Sequence, residues 1–246
     1  MLLDPWIWLG VFILLAYTVE AITGFGSLVI ALSLGALILP IPAMLPVVVP
    51  LNVLMTGYLV WRNRQHIFWP VLLKLVLPLM LLGTLTGYGL RPWLGDSLLK
   101  LLFGALVLWF ASRELWRMAR GIQIVPHSLM LSRALTFGAG ITHGLFASGG
   151  PLLVYALGGI QLDKSRMRAT LLVVWFTLNS CLSLLFLVDG TLLPSLPRLV
   201  FYLPLLVVGV LLGEYLHHRL NEQRFRQLVY SLLAITGALL MFKAAT

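Results

Sequence analysis

Charge is what this sequence has least of. Only 10% of its 246 residues are Asp, Glu, Lys or Arg, against 60% hydrophobic, whereas a soluble chain carries about 25% charged residues. Too little polar side chain is present to cover a water-facing surface, which excludes a soluble globular domain. Long polar stretches are missing too, so any chemistry is confined to the bilayer or to very short loops. Cysteine is nearly absent: Cys181 is the single one. It lies inside an apolar run, has no partner for an intrachain disulfide and reads as a packing residue. No His/Cys/Asp/Glu spacing suggests a metal site, and no cofactor is expected. Ser148-Gly149-Gly150 departs from the Gly-x-Ser-x-Gly nucleophile pattern, and no residue forms a plausible dyad with it. The N-terminus lacks a basic region and carries Asp4 instead, so the first helix is expected to be retained.

What the chain does have is apolar runs of about 17–22 residues, the span a helix needs to cross hydrocarbon. Apolar windows and breakers predict ten helical elements, at 6–22, 26–39, 43–61, 70–90, 97–119, 129–147, 151–160, 169–188, 198–216 and 225–243. The second element of each half follows its predecessor with no polar loop, only Thr23-Gly24-Phe25-Gly26 and Ala147-Ser148-Gly149-Gly150-Pro151. At roughly 14 and 10 residues, both fall short of the 20 that a full span requires, so each reads as one arm of a broken or re-entrant hairpin.

The net charge of +9 would suit nucleic acid, but the basic residues sit in short inter-helix loops and not on one face, so no nucleic-acid partner is expected. Twelve of them fall on one side: Arg62, Arg64, Arg113, Arg117, Arg120, Arg133, Lys164, Arg166, Arg168, Arg219, Arg224 and Arg226. The opposite loops carry Arg91, Lys100, Arg198 and Lys243, and Lys74 can snorkel to the basic side. With the basic side inside, the N- and C-termini are expected outside and the link between the halves inside. Trp6, Trp8, Trp61, Trp69, Trp93 and Trp116 sit mostly at helix ends, as an interfacial belt would.

The two halves look like repeats, 1–122 and 123–246. Gly26 matches Gly150 at an offset of 124, while Gly83 and Gly209, Gly87 and Gly213, and Lys100 and Arg226 match at 126. Five elements per half reverse the orientation of the second. The expected fold is thus an all-α integral membrane protein, an inverted-topology repeat with one broken or re-entrant hairpin in each half.

In such proteins the substrate site lies near the midplane, where discontinuous helices meet. Helix starts after the two turns would present free N–H groups and the positive end of a dipole, which suits a small anion. Pro151 fits a first helical turn. The expected substrate-binding set is Thr23, Gly24, Gly26, Ser27, Ser148, Gly149 and Gly150, the hydroxyls adding donors. The alternative is that these glycines merely let helices pack closely. Asn52 and Asn179, one position off the repeat spacing, either bind ligand or hold helices together. Glu20 and His143, near the ends of the elements that precede each turn, are candidates for proton coupling. For Glu20 the plainer reading is a hydrogen bond to a neighbouring helix, or a depth shallow enough to meet water. His217 and His218 read as interfacial. A membrane-embedded enzyme or accessory protein is the alternative class, and a homodimer is left open.

Gly24-Phe25-Gly26 with its following helix and Pro40, Gly149-Gly150-Pro151, the third-element runs and the Gly83/Gly87 and Gly209/Gly213 pairs together resemble the sulfite exporter TauE/SafE family, from about 8 to 243. That resemblance implies transport of sulfite or sulfonate-type anions across the bacterial cytoplasmic (inner) membrane, with the lipid bilayer as the surrounding partner.

Overall fold

In hydrocarbon no water is available to satisfy backbone polar groups, so a chain of this composition can cross only as helices or a closed barrel. The computed structural model describes residues 4–23, 26–121, 128–157, 164–217 and 222–245, and every regular element among them is helical. In the numbering used below these are α1 (Pro5–Thr23), α2 (Ser27–Gly35), α3 (Ile41–Asn63), α4 (69–90), α5 (Asp96–Arg120), α6 (Leu129–Phe146), α7 (Gly150–Ala156), α8 (Lys164–Val188), α9 (Leu192–His217) and α10 (Glu222–Ala245). Among the described residues six segments are long and apolar enough to cross a bilayer: Pro5–Ile22, Ile41–His66, Trp69–Trp93, Ser165–Val188, Leu192–Leu216 and Gln223–Ala244. The protein is a multi-pass membrane protein. Large apolar side chains such as Phe201, Leu211 and Phe242 are exposed along them, as lipid contact requires.

The expected elements are all present, with three differences. α8 starts at Lys164 and α9 at Leu192, five and six residues before the apolar windows at 169 and 198 open. Lys164, Arg166 and Arg168 read as loop because they are charged, and Pro194 and Pro197 because proline usually breaks a helix. Pro194 is tolerated because the first N–H groups of a helix have no intrahelical partner. Pro197, the sixth residue of α9, forgoes one bond, to the Leu193 carbonyl, and Lys and Arg are good helix formers. The third difference is length: α2 and α7 hold 9 and 7 residues, shorter than the apolar windows. At a rise of 1.5 Å per residue they reach about 13 and 10 Å, well short of a hydrocarbon core of about 30 Å. α4 contains a π-helical turn at Leu72–Val76, just ahead of Pro78. A proline there removes a bond to the carbonyl four residues earlier, and the wide turn accommodates the loss.

Two compact units make up the chain. The first comprises Met1–Leu45, Leu94–Gln123 and Val200–Thr246, and so holds α1, α2, α5 and α10 with most of α9. Within it α5 and α10 meet at glycines: a Cβ on Gly104 would stand 2.9 Å from the Gly237 carbonyl, and one on Gly237 would stand 2.8 Å from the Leu108 nitrogen. Gly209 and Gly213 of α9 lie on the α1 backbone at Leu14 and Thr18. Asp96 ties the start of α3 to α5, accepting from the Ile41 nitrogen at 3.0 Å and pairing with Lys100 at 2.8 Å.

Pro46–Trp93 and Ile124–Leu199 form the second unit. Its core is built from Leu72, Val76 and Met80 of α4, Ala139 of α6, Leu153 of α7, and Val174, Trp175 and Leu178 of α8. α4 and α6 share a seam of four glycines. Gly83 and Gly87 press on the carbonyls of Phe137 and Ile141, and Gly140 and Gly144 on those of Met80 and Thr84. The spacing of four on both helices is the small-residue pattern that brings membrane helices to backbone contact. At one edge of this unit the Arg91 guanidinium lies over the rings of Tyr88 (4.6 Å) and Phe186 (5.0 Å) and 3.8 Å from Asp189. Tyr88 donates its hydroxyl proton to Asp189, and Thr191 donates to the same carboxylate from its nitrogen at 3.0 Å and its hydroxyl at 2.6 Å. Trp61, Trp69, Trp93 and Trp116 are exposed at or near helix ends, where amphipathic rings meet a membrane surface.

Candidate functional site

The first hairpin belongs to the first unit. α1 stops at Thr23 and α2 starts at Ser27, capped by Gly26 with φ 102° and ψ 1°. That left-handed backbone is what glycine supplies without strain. Among the described residues no atom lies within 4 Å of where a Gly26 Cβ would stand, so φ alone, and not crowding, calls for glycine. Glu20 is 1% exposed, and its Oε2 accepts a hydrogen bond from the Ser27 nitrogen at 3.0 Å. A carboxylate from α1 therefore caps the first turn of α2, where the free N–H groups and the helix dipole favour negative charge. Of the residues expected here, Gly24 and the Thr23 side chain lie outside the described residues, as do the side chains of His217 and His218.

The second hairpin belongs to the second unit and closes differently. α6 ends in Ala147, which has φ 51° and donates its N–H to the His143 carbonyl at 2.6 Å. α7 begins at Gly150, capped by Gly149 at φ −75° and carrying Pro151 in its first turn. Gly149 is needed for closeness: a Cβ there would run into the Ala139 carbonyl and stand 3.0 Å from the His143 Cβ. The Ser148 hydroxyl donates to the Phe146 carbonyl at 2.9 Å, so its proton is already used and its oxygen faces any ligand only as an acceptor. The two helix caps, Gly26 and Gly149, are 123 positions apart, one fewer than the Gly26–Gly150 match expects. At that spacing Glu20 and His143 are counterparts.

His143, Asn52 and Asn179 are brought close in the same unit. Asn179 donates from Nδ2 to Asn52 Oδ1 at 2.7 Å, with both amides buried. Each asparagine is followed four residues on by a hydroxyl that donates back to its carbonyl, Thr56 at 2.7 Å and Ser183 at 2.8 Å. His143 is fully buried and stacks on Trp175, the ring centroids 5.8 Å apart and the planes 19° from parallel. Trp175 and Asn179 are four residues apart on α8 and so share one helix face. Asn179 lies near enough to interact with the imidazole, yet neither ring nitrogen closes a hydrogen bond of regular geometry, and Asn179 Oδ1 has no partner either. The Trp175 ring also rests against Gly150, 3.4 Å from where its Cβ would be.

Trp175, Ala147 and the Gly140/Gly144 half of the glycine seam escape a reading of the sequence. The seam had a usable signal, two glycines four apart facing an equivalent pair on α4. Trp175 had none, since an aromatic within an apolar run reads as core. Among the described residues no group of three or more His, Cys, Asp or Glu side chains could hold a metal ion.

A family model described as Sulfite exporter TauE/SafE matches residues 9–240. No curated protein and no solved structure matches the chain.

Proposed function

Because the chain belongs to the sulfite exporter TauE/SafE family, whose members are transporters and not enzymes, we propose that it moves small anions of the sulfite or organosulfonate class across the bacterial cytoplasmic membrane by alternating access. The observation that carries this is a family match over nearly the whole chain, with six membrane-length helices among the described residues.

An inverted repeat underlies the mechanism. It is supported by matched features at nearly constant spacing: the caps Gly26 and Gly149, the pairs Gly83/Gly87 and Gly209/Gly213, and Asn52 and Asn179 with their Thr56 and Ser183 back-bonds. The glycine pair on a long helix of each half lies on the helix that precedes the hairpin of the other half, α4 on α6 and α9 on α1. The residues proposed to meet the anion are Thr23, Gly24, Gly26 and Ser27 at the first hairpin and, in the second unit, Asn52, Ser148, Gly149, Gly150 and Asn179. Glu20 and His143 handle protons: both are buried in the apolar interior, where an ionisable group is costly and is kept for a purpose. The Glu20 carboxylate already sits at the start of α2, so a substrate anion approaching that turn meets a like charge unless Glu20 is protonated.

Flux of labelled sulfite and simple sulfonates in proteoliposomes, with and without an imposed pH gradient, tests the reading. Saturable flux that responds to the gradient is expected. Gly149→Leu should abolish it while the protein still inserts, because the added side chain meets the Ala139 backbone, which cannot give way. Unchanged flux in that variant would remove the second hairpin from the path.

A further inference from the structure

Buried polar atoms without hydrogen bonds are costly and uncommon, and a group of them asks for an explanation. Three gather in the second unit: both ring nitrogens of His143 and Oδ1 of Asn179. Neither residue has any exposed surface. Asn179 is held in place by its 2.7 Å bond to Asn52. The imidazole is fixed by its stack on Trp175 and by the Gly149 turn against its Cβ. From α4 the nearest approach is to the adjoining Gly144, by the backbone of Thr84, Gly87 and Tyr88, and the Tyr88 hydroxyl is turned to Asp189. No carboxylate or guanidinium acts on the ring among the described residues.

A neutral imidazole offers one donor and one acceptor, and an imidazolium offers two donors. With Asn179 Oδ1 accepting one N–H, a protonated His143 has a second N–H to give and a charge with no counter-ion. One oxyanion of single charge completes both requirements. We infer that His143 takes up a proton together with one singly charged oxyanion of the sulfonate class, Asn179 accepting one ring N–H and the anion the other. This rests on the transport reading above and specifies the part of His143 in its coupling: the one proton taken up at the imidazole travels with the anion, in the same direction. The step makes a single N–H bond, from a solvent proton to the imidazole, and breaks none in the anion. Charging the ring alone, or burying the anion alone, is expensive in a dry interior; together they form a hydrogen-bonded ion pair, so each raises the affinity for the other.

Methanesulfonate is a suitable probe because, as the anion of a strong acid, it does not titrate near neutral pH. Its binding to the purified full-length chain in detergent is followed by calorimetry between about pH 6 and 8, the range in which histidine chemistry is read. The expected result is a Kd that weakens about tenfold per pH unit, with one proton taken up per anion, seen as a binding heat that follows the ionisation enthalpy of the buffer. His143→Gln should bind weakly and without pH dependence. Asn179→Asp places a permanent counter-ion beside the ring; there, proton uptake on binding should vanish and affinity should fall. Methanesulfonate bound with a pH-independent Kd by the unmodified protein overturns the proton partnership and leaves the transport reading standing. Failure of both methanesulfonate and sulfite to bind overturns both. Proton uptake that persists in Asn179→Asp removes the amide from the arrangement.

Discussion

Two backbone positions separate what glycine does from what a side chain tolerates. Gly26 has a left-handed φ and open surroundings, so Gly26→Ala should cost about 1–2 kcal/mol through backbone strain alone. Gly26→Asn should cost less, since asparagine visits that region more readily. Ala147 is the mirror case: it is the one non-glycine with positive φ among the described residues. It stands at the C-cap of α6, where glycine is preferred. Ala147→Gly should therefore stabilise the protein by roughly 1 kcal/mol. Thermal unfolding of the detergent-solubilised variants, compared in sign as well as size, checks both. Residue type announced Gly26 but concealed Ala147, because a strained φ on an ordinary residue leaves no trace in sequence. The asparagines were legible as a pair because buried amides in apolar runs need partners and theirs lie near the repeat spacing.

Elements were legible where hydrophobic length decides and less so where a helix runs on past its apolar window. The starts of α8 and α9 lay hidden behind arginines and prolines that a helix accepts in its opening turns. The α4–α6 seam is the contact on which this scale offers its sharpest test. A Cβ at Gly144 would run into the Thr84 carbonyl, whereas a Cβ at Gly209 would be 3.1 Å from the Leu14 carbonyl. Gly144→Ala should therefore cost more than Gly209→Ala, by about 1–3 kcal/mol, the usual toll of overpacking. The fraction of each variant eluting as monodisperse protein after heating ranks them. Equal behaviour would mean the two seams are equally adjustable.

For the molecule as a whole, charge bears on orientation and on acid response. The positive-inside rule applied to the basic loops predicts that reporter fusions place 121–128 in the cytoplasm and both termini outside; termini on opposite sides of the membrane would undo the inverted repeat. Asp189, in the turn between α8 and α9, is pulled two ways. Partial burial pushes its carboxyl up, but hydrogen bonds from Thr191 and Tyr88 and the nearby Arg91 outweigh this and hold it below its ordinary value. A carboxyl depressed by folding contributes stability above its unfolded pKa of about 3.9 and loses that contribution as pH falls through the folded value. Acid unfolding of Asp189→Asn should accordingly depend less on pH below about pH 4 than that of the unmodified protein. What the sequence could not convey is how its halves are partitioned: both compact units draw on residues from before and after position 123, a consequence of pairings between helices distant in the chain.

The glycine seam of α4 and α6 also governs how that pair comes together. A glycine has no χ angle, so docking immobilises nothing at those four positions, where leucines would each forfeit roughly 0.5–1 kcal/mol of rotamer freedom. Between helices already inserted in lipid, where no hydrophobic drive favours association, that avoided loss is comparable with the interactions that hold helices together. Docking of α4 on α6 thus costs no side-chain rotamer freedom at the four glycines of the contact.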